Sequence, residues 1–466
     1  MLTSTTTPPG VERPGARWAL VAVLAANMLV DALEVSATLV ALPAVGAGLG
    51  LSVPQLQWTV SGFAAGFGGL LLLGGRLVER LGRRGVYLAA LFVFAAASLA
   101  GALTDSAALL TATRVVKGFC VALTAPTGLA IITSTVPEGA ARRRAVSLYS
   151  FFGAAGFCAG LLLSGLLTGI SWRWTLAFPA PVALLLLAAG LRLIPRDRPA
   201  ARPRAPDWHA PTGGLSLTGG LLLLAYALAN LAGSGRERLL AAAALAAALL
   251  LGAVFVTAER RSPRPLVPPE LLRQTALLRS ALGAAALNGS YVGFLLIATL
   301  HLQGAGRSAW QTALAFLPAA VPLALSALYS GRIAVRLGPA RAVAAGAVLA
   351  PIGYALYPRA PGAEPGTAGL LPAMVCVGAA FVLAFTALHL QATGSVPAEL
   401  QGAAGGLYQT CVQAGAVLTT ASVSALSTVG RASALWLVTA VGAAGACVAL
   451  GGLTRSAHVS SPTTRS

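Results

Sequence analysis

Fourteen apolar stretches, each long enough to cross a hydrocarbon layer of ~30 Å, are the feature that most narrows what this chain can become. They run over 18–42, 54–76, 85–104, 107–135, 146–169, 174–194, 212–233, 238–258, 281–303, 309–331, 339–357, 369–392, 402–426 and 432–453. Backbone polar groups in lipid must be satisfied internally, and apolar runs of this length satisfy them as helices. The predicted fold class is an all-α polytopic membrane protein. With 57% hydrophobic residues, 10% charged and a mean hydropathy of +0.80, a water-exposed globular surface is excluded. The first stretch outruns a signal peptide and carries acids, so it reads as a retained helix.

A formal charge of +19 would point to nucleic acid in a soluble protein, so the placement of the basic residues decides its meaning. Twenty-four of the arginines fall in the two tails and the alternate loops, whereas the other loops hold six: Arg173, Arg236, Arg238, Arg307, Arg359 and Arg431. That asymmetry is a topology signal. It predicts both termini in the cytosol and no nucleic-acid partner. The five cysteines and four histidines are scattered, without the spacing of a disulfide framework, a metal site or a cofactor, and none of these is expected.

The stretches group as six, two and six. Residues 1–17 read as a disordered cytosolic tail, 18–194 as one six-helix bundle and 195–210 as a proline-rich, charged linker. Two inserted helices occupy 211–258. A second linker, 259–280, has room for a surface helix over Pro269–Leu278, and 281–453 forms a second six-helix bundle before a tail at 454–466. An internal echo supports two related halves: Gly331, Arg332, Arg336, Leu337 and Gly338 repeat Gly75, Arg76, Arg80, Leu81 and Gly82 at a constant offset of 256 residues.

This organisation resembles the major facilitator superfamily, specifically its fourteen-helix branch of drug:proton antiporters. Gly75–Arg84 is similar to the superfamily's loop between helices 2 and 3, with Glu79 where an aspartate is usual. Leu110–Gly118 resembles its helix-4 motif, with Arg114 and Gly118 in place and Lys117 where glutamine is common. Trp172-Arg173-Trp174 followed by Pro181 is similar to the corner between helices 5 and 6, and Glu34–Pro43 to the acidic helix-1 motif. Asp207–Gly214 and Glu259–Pro269 look like the edges of the inserted pair. One departure concerns helix 5, where the antiporters carry Gly-Pro and this chain reads Gly160-Leu161. The resemblance implies a monomer in the bacterial cytoplasmic membrane that exports a small amphipathic compound, a drug, antibiotic or toxic metabolite, in exchange for protons. The altered helix-5 motif keeps a proton-independent facilitator or importer as the alternative.

Charges inside a membrane are costly, so each calls for a reason. Asp31 and Glu34 lie three apart on one helical face, and a rise of about 1.5 Å per residue puts Asp31 roughly 20 Å from the start of the first span. Arg114 lies about 10 Å into the fourth span, which runs the other way, so the depths match. Asp31 or Glu34 is therefore expected beside Arg114, with Lys117 one turn deeper. Two carboxylates at this spacing in low dielectric do not both ionise comfortably, and Asp31, Glu34 and Arg114 become the proton-coupling candidates. Gating is assigned to Gly75, Glu79, Arg80, Gly82, Arg83 and Arg84, a latch on a neighbouring helix end. Gly156, Gly160 and Gly165, with Gly153, are assigned to sliding of the fifth span against the other half. Substrate contacts are expected from Asp31, Glu34, Lys117, Asn288, Tyr291, Gln311, Tyr408, Gln409 and Gln413. His301 and His389 are expected at helix ends near the interface.

Other classes fit less well. A phosphate-binding loop needs Gly-Lys-Ser/Thr, and the one lysine, Lys117, precedes Gly118 inside a span, which excludes an ATP-driven pump. No loop has room for a catalytic domain, so the chain is not expected to be an enzyme. A channel would need a continuous polar pore, whereas a duplicated bundle with acids near mid-depth fits alternating access.

Overall fold

A computed structural model describes residues 14–197, 209–230, 233, 235–358 and 367–459. The first half comprises α1 (Pro14–Leu49), α2 (Val53–Leu81), α3 (Arg83–Leu103), α4 (Ala107–Thr135), α5 (Ala140–Thr168), α6 (Trp172–Ala177) and α7 (Pro179–Leu193). The inserted pair is α8 (His209–Asn230) and α9 (Arg236–Arg261). After the single turn α10 (Pro269–Leu272) come α11 (Thr275–Gly304), α12 (Ala309–Leu337), α13 (Pro339–Leu356), α14 (Thr367–Gly394), α15 (Gln401–Ser427) and α16 (Arg431–Val459). α6 and α7 form one crossing of 22 residues, interrupted before Pro179, whose missing amide cannot continue the ladder.

Thirteen of the crossings contain an 18-residue window of mean hydropathy 1.2 or more. α15 lacks one because Tyr408, Gln409, Gln413 and a series of Thr and Ser residues dilute it. It is nevertheless enclosed, packed against α11 of its own half and α2 of the other, so its polar groups meet protein instead of lipid.

Several helices overrun the boundaries read from hydropathy. Residues 14–17, expected in a disordered tail, are the first turn of α1, and residues 1–13 lie outside the described residues. His209 and Ala210, expected in the linker, open α8, and 198–208 lie outside the described residues. The surface helix expected over Pro269–Leu278 shrinks to α10, because the chain bends at Arg273–Gln274 and α11 starts at Thr275. α16 continues past residue 453 to Val459. Hydropathy marks where lipid ends; the backbone ladder is indifferent to side-chain polarity and continues into water until a turn residue stops it.

The two halves pack by the same scheme. α1 packs on α5 and α2 on α4 in the first half, as α11 packs on α15 and α12 on α14 in the second; α3 meets α7 as α13 meets α16. Gly82 and Gly338, 256 residues apart, turn their chains with nearly the same dihedrals, φ 84° and ψ 154° against φ 72° and ψ 150°. The halves meet along two equivalent seams, α2 with α15 and α12 with α5. Polar contacts between the halves lie between mid-depth and the face opposite the start of α1. Across the α2–α15 seam Thr410 Oγ1 donates to Gly68 O (2.8 Å) and Ser61 Oγ and Thr420 Oγ1 are 2.8 Å apart; between α11 and α1 Gln303 Nε2 donates to Val40 O (2.9 Å).

α2 and α4 approach so closely that a Cβ at Gly118 would collide with Phe63 O and lie 2.8 Å from Phe67 N. Gly118→Val is therefore expected to destabilise the protein by about 1–3 kcal/mol, the usual cost of overpacking. Gly75→Ala, where nothing stands within 4 Å, is expected to leave the unfolding midpoint of the purified protein unchanged.

Candidate functional site

α1 brings Asp31 and Glu34 to one face, and α4 brings Arg114, Lys117 and Thr124 against it. All five side chains are buried. Glu34 is bracketed by two cations. Its Oε1 pairs with Arg114, and its Oε2 lies 2.7 Å from Lys117 Nζ. The Lys117 contact is a close ion pair in which both side chains are buried. Arg114 is fixed further by Nε donating to Thr59 O (2.7 Å), and its guanidinium lies 4.8 Å from the centre of the Phe63 ring. Lys117 Nζ stands 4.9 Å from the centre of Phe94.

Asp31 sits apart from this ion triad. Its Oδ2 accepts from Asn27 Nδ2 (3.0 Å) and Thr124 Oγ1 (2.8 Å), both neutral donors. The two acids are thus held differently. Protonating Glu34 would strand two buried cations, a large penalty in low dielectric. Protonating Asp31 removes one charge and leaves its neighbours neutral. Asn27 and Thr124 had not been singled out; Asn27 stands four residues before Asp31 on the same helical face, a signal the sequence carried, whereas Thr124 is placed only by packing.

The other predicted residues disperse. Tyr291 is buried between Phe157 and Phe381, with ring centres 6.0 and 4.8 Å away. Gln413 packs against Gly68 across the α2–α15 seam, and Asn288 Nδ2 donates to Val412 O (3.1 Å) within the second half. Tyr408 is buried, its hydroxyl donating to Phe385 O (3.2 Å), and Gln409 is half-buried. Gln311 does not join them. It is exposed, and its Oε1 accepts from Ser308 N (3.0 Å) while Ser308 Oγ accepts from Gln311 N (3.2 Å), a capping box at the start of α12. His301 Nδ1 meets Tyr357 Oη at 2.8 Å, and His389 is exposed and stacks edgewise on Tyr408 at 5.0 Å.

The glycines of α5 serve two partners. Gly153, Gly156 and Gly160 face α1 of the same half, meeting Met28, Leu29 and Leu33. Only Gly165 faces the other half, against Ala309, Trp310 and Ala313 of α12. The four-residue row expected to slide on the second half is, for its first three members, internal packing. Hydroxyls bind the same α1–α5 interface, Ser36 Oγ to Phe157 O (2.7 Å) and Ser164 Oγ to Ala37 O (2.5 Å).

The Gly75–Arg84 turn is a reciprocal helix clasp. Asp197, beyond α7, accepts from the backbone amides of Arg83 (3.2 Å) and Arg84 (3.0 Å) and so caps the N-terminus of α3. Arg84 returns the favour at the C-terminus of α7, donating to Ile194 O and, at 2.6 Å, to Leu191 O. A Cβ on Gly82 would collide with Asp197 Oδ2. Arg83 reaches Ala130 O (3.4 Å), and Arg76 donates to Arg264 O and Pro265 O (3.1 Å each) while lying 3.5 Å from Glu79. Glu79 and Arg80 are exposed, and Gly75 is exposed and open. In the second copy, the side chains at 331–335 and 337 lie outside the described residues.

A helical bundle of two related halves around buried ions, crossing a membrane many times, has the build of a secondary transporter. The family profile described as Major Facilitator Superfamily matches residues 24–420, and the chain belongs to that family. It is 35% identical to a puromycin resistance protein of Streptomyces alboniger, over 90% of this chain and 83% of that one. It is 34% identical to a cephamycin export protein of Amycolatopsis lactamdurans (85% and 82% covered) and 32% identical to a lincomycin resistance protein of Streptomyces lincolnensis (86% and 83%). Among solved structures, a crystal structure of the peptide transporter POT aligns with a TM-score of 0.69 at 15% identity, over 96% of this chain and 95% of that one. That likeness establishes the fold alone.

Two consequences are measurable in purified protein. Glu34→Gln leaves Arg114 and Lys117 without their paired carboxylate and is expected to destabilise by about 3–5 kcal/mol, whereas Lys117→Gln, which leaves Glu34 paired with Arg114, is expected to cost clearly less. Gly82→Ala places a side chain in a backbone region reserved for glycine and displaces Asp197; a loss of about 1–3 kcal/mol is expected from denaturation curves.

Proposed function

We propose that this protein exports a small amphipathic compound of the antibiotic kind in exchange for protons, by alternating access, with Asp31 as the proton carrier. The observation that carries this reading is the difference between the two acids. Asp31 is a buried carboxylate held only by Asn27 and Thr124, while Glu34 is held by two cations. Glu34, Arg114 and Lys117 then form the fixed electrostatic frame beside Asp31. The names of the relatives, resistance and export proteins for puromycin, lincomycin and cephamycin, support the direction and the class of cargo.

The face carrying both termini is assigned to the cytosol by its arginines. Among the described residues, the polar contacts Ser61–Thr420 and Gln303–Val40 lie toward the other face and Thr410–Gly68 at mid-depth, which supports reading the arrangement as the inward-facing arm of the cycle. Rocking about mid-depth would break Gln303–Val40 and Ser61–Thr420 and bring together the inner helix ends, where Gly75, Glu79, Arg80, Gly82, Arg83 and Arg84 act as the gate. Tyr291 and Gln413, near mid-depth at the seams, are the proposed substrate contacts, with Asn288, Tyr408 and Gln409 behind them. The missing helix-5 proline, which favoured a facilitator or importer, carries less weight beside Gly156 and Gly160, which keep close α1–α5 packing without it.

Expression in an exporter-deficient bacterium tests the proposal. Cells carrying the wild type should accumulate less of at least one of puromycin, lincomycin and a panel of fluorescent amphipaths, and a protonophore should abolish the difference. Asp31→Asn should abolish it as well at equal membrane levels, and Thr124→Val should weaken it. Higher accumulation, or export indifferent to both the protonophore and Asp31, would overturn the proposal in favour of a facilitator or importer.

A further inference from the structure

The two seams between the halves are equivalent in packing but unequal in chemistry. Along the α2–α15 seam the helices run in opposite directions, with Leu72 beside Gly406, Gly68 beside Gln413 and Thr410, and Ser61 beside Thr420. One turn further toward the face opposite the start of α1, the same helix faces carry Gln57 on α2 and Ser424 on α15. The neighbouring stripe of α15, Thr419 and Val423, meets Gly293 of α11 instead. Gln57, Ser61, Thr420 and Ser424 are wholly buried, and neither α2 before Arg76 nor α15 carries a charge. Ser61 Oγ donates to Gln57 Oε1 (2.5 Å), but Gln57 Nε2 and Ser424 Oγ have no hydrogen-bond partner among the described residues.

A buried polar atom without a partner lowers stability, and the packing of such a seam does not require one. α12 (Ala309–Leu337) repeats α2 (Val53–Leu81) end for end at the offset of 256 residues, and it sets Ala313 and Leu317 where α2 has Gln57 and Ser61. Ala313 lies against Gly165 of α5 in the second seam. Lipid is not what the polar set meets either, because α8 packs against both α2 and α15 and closes the membrane side of their seam. Trp58 of α2 stacks on Tyr226 of α8 with ring centres 6.2 Å apart, a Cβ on Gly69 would collide with Thr218, and one on Gly214 would stand 2.9 Å from Leu73. The hydrogen-bonding capacity of the set is reached by parting α2 from α15, from between the halves.

We propose that Gln57, Ser61, Thr420 and Ser424 form a cargo-contact site of the outward-facing arm, uncovered when the seam parts, and that it takes neutral hydrogen-bonding groups, the hydroxyl, amide or ether end of an amphipath. One amide and three hydroxyls offer donors and acceptors without charge, so they hold a polar end without competing with the ions around Glu34. The apolar counterpart in the other seam gives the cargo an orientation, its polar end toward α2 and α15 and its apolar body toward α5 and α12. The inference rests on the export reading above and specifies which cargo groups are recognised on the way out.

The test uses the full-length protein in the exporter-deficient bacterium, with the panel sorted into compounds bearing hydroxyl or amide groups, lincomycin and puromycin among them, and amphipathic dyes bearing neither. Ser424→Ala removes an oxygen that bonds nothing in the closed seam, so the purified variant should unfold at the wild-type midpoint or above it. At equal membrane level its export of the hydroxyl- or amide-bearing compounds is expected to fall about three- to tenfold, the factor that one neutral hydrogen bond supplies, with export of the dyes unchanged. Gln57→Leu should reproduce the selective loss. Ser424→Cys, probed from outside the cell with a membrane-impermeant maleimide, should be labelled beyond the wild-type background and protected by an exported hydroxyl-bearing compound. A loss of export shared equally by both kinds of compound would make the set a lock on the seam and overturn the proposal. So would export left intact in both Ser424→Ala and Gln57→Leu, wild-type export confined to the dyes, or a Ser424→Cys that is unlabelled or that no exported compound protects. Each of these outcomes, with a wild type that exports, spares the export reading; a wild type that exports nothing in the panel removes both.

Discussion

One carboxylate between two cations, sealed from water inside a helical bundle, sets the terms for the first half of this protein. Glu34, Arg114 and Lys117 must meet, because any one of them alone in that environment is far more costly than the three together. Their meeting fixes the rotation of α1 and α4 about their own axes, and with it which faces of those helices turn to α5 and α2. The Arg114 bond to Thr59 O extends the constraint to α2, the helix that forms one seam with the second half. The frame is therefore connected, through the Arg114 side chain and the α2 backbone, to the seam with the second half.

Asp31 is notable within that frame for how little holds it. Two neutral donors hold its Oδ2, and no cation of the neighbouring ion triad is paired with it. A buried network in which every acid was tied to a cation would be rigid and electrically inert. The same helix face thus carries one acid paired with cations and one held by neutral donors.

The inserted pair breaks a symmetry that the two halves otherwise keep. α2 with α15 and α12 with α5 are the same pairing seen from opposite sides, yet α8 covers only the first. The covering is intimate, with an aromatic stack and helix-to-helix glycine contacts, so α8 is part of the seam and not a passenger at the lipid edge. Two helices added to a twelve-helix plan thus make the two seams unequal, with α8 lying across one of them.

Much of this was legible in the chain before any coordinates. Fourteen apolar runs, the arginine asymmetry, and the repeat of Gly82 at Gly338 are local or periodic signals, and lipid enforces them severely because an unsatisfied backbone cannot cross it. That Asp31 or Glu34 would stand beside Arg114 followed from helical rise and the cost of buried charge; that the acid is Glu34, and that Lys117 pairs with it as well, is settled by packing. What tertiary structure alone decided was the direction of each side chain about its helix axis. Gly156 and Gly160 face α1 while Gly165 faces α12, Gln311 caps its own helix, and Asp197 reaches back from a linker to cap α3. Depth along a membrane helix is written in sequence by the bilayer, which acts on every residue alike; azimuth is settled by neighbours, and in a chain of Ala, Gly and Leu many azimuths look the same until the helices are packed.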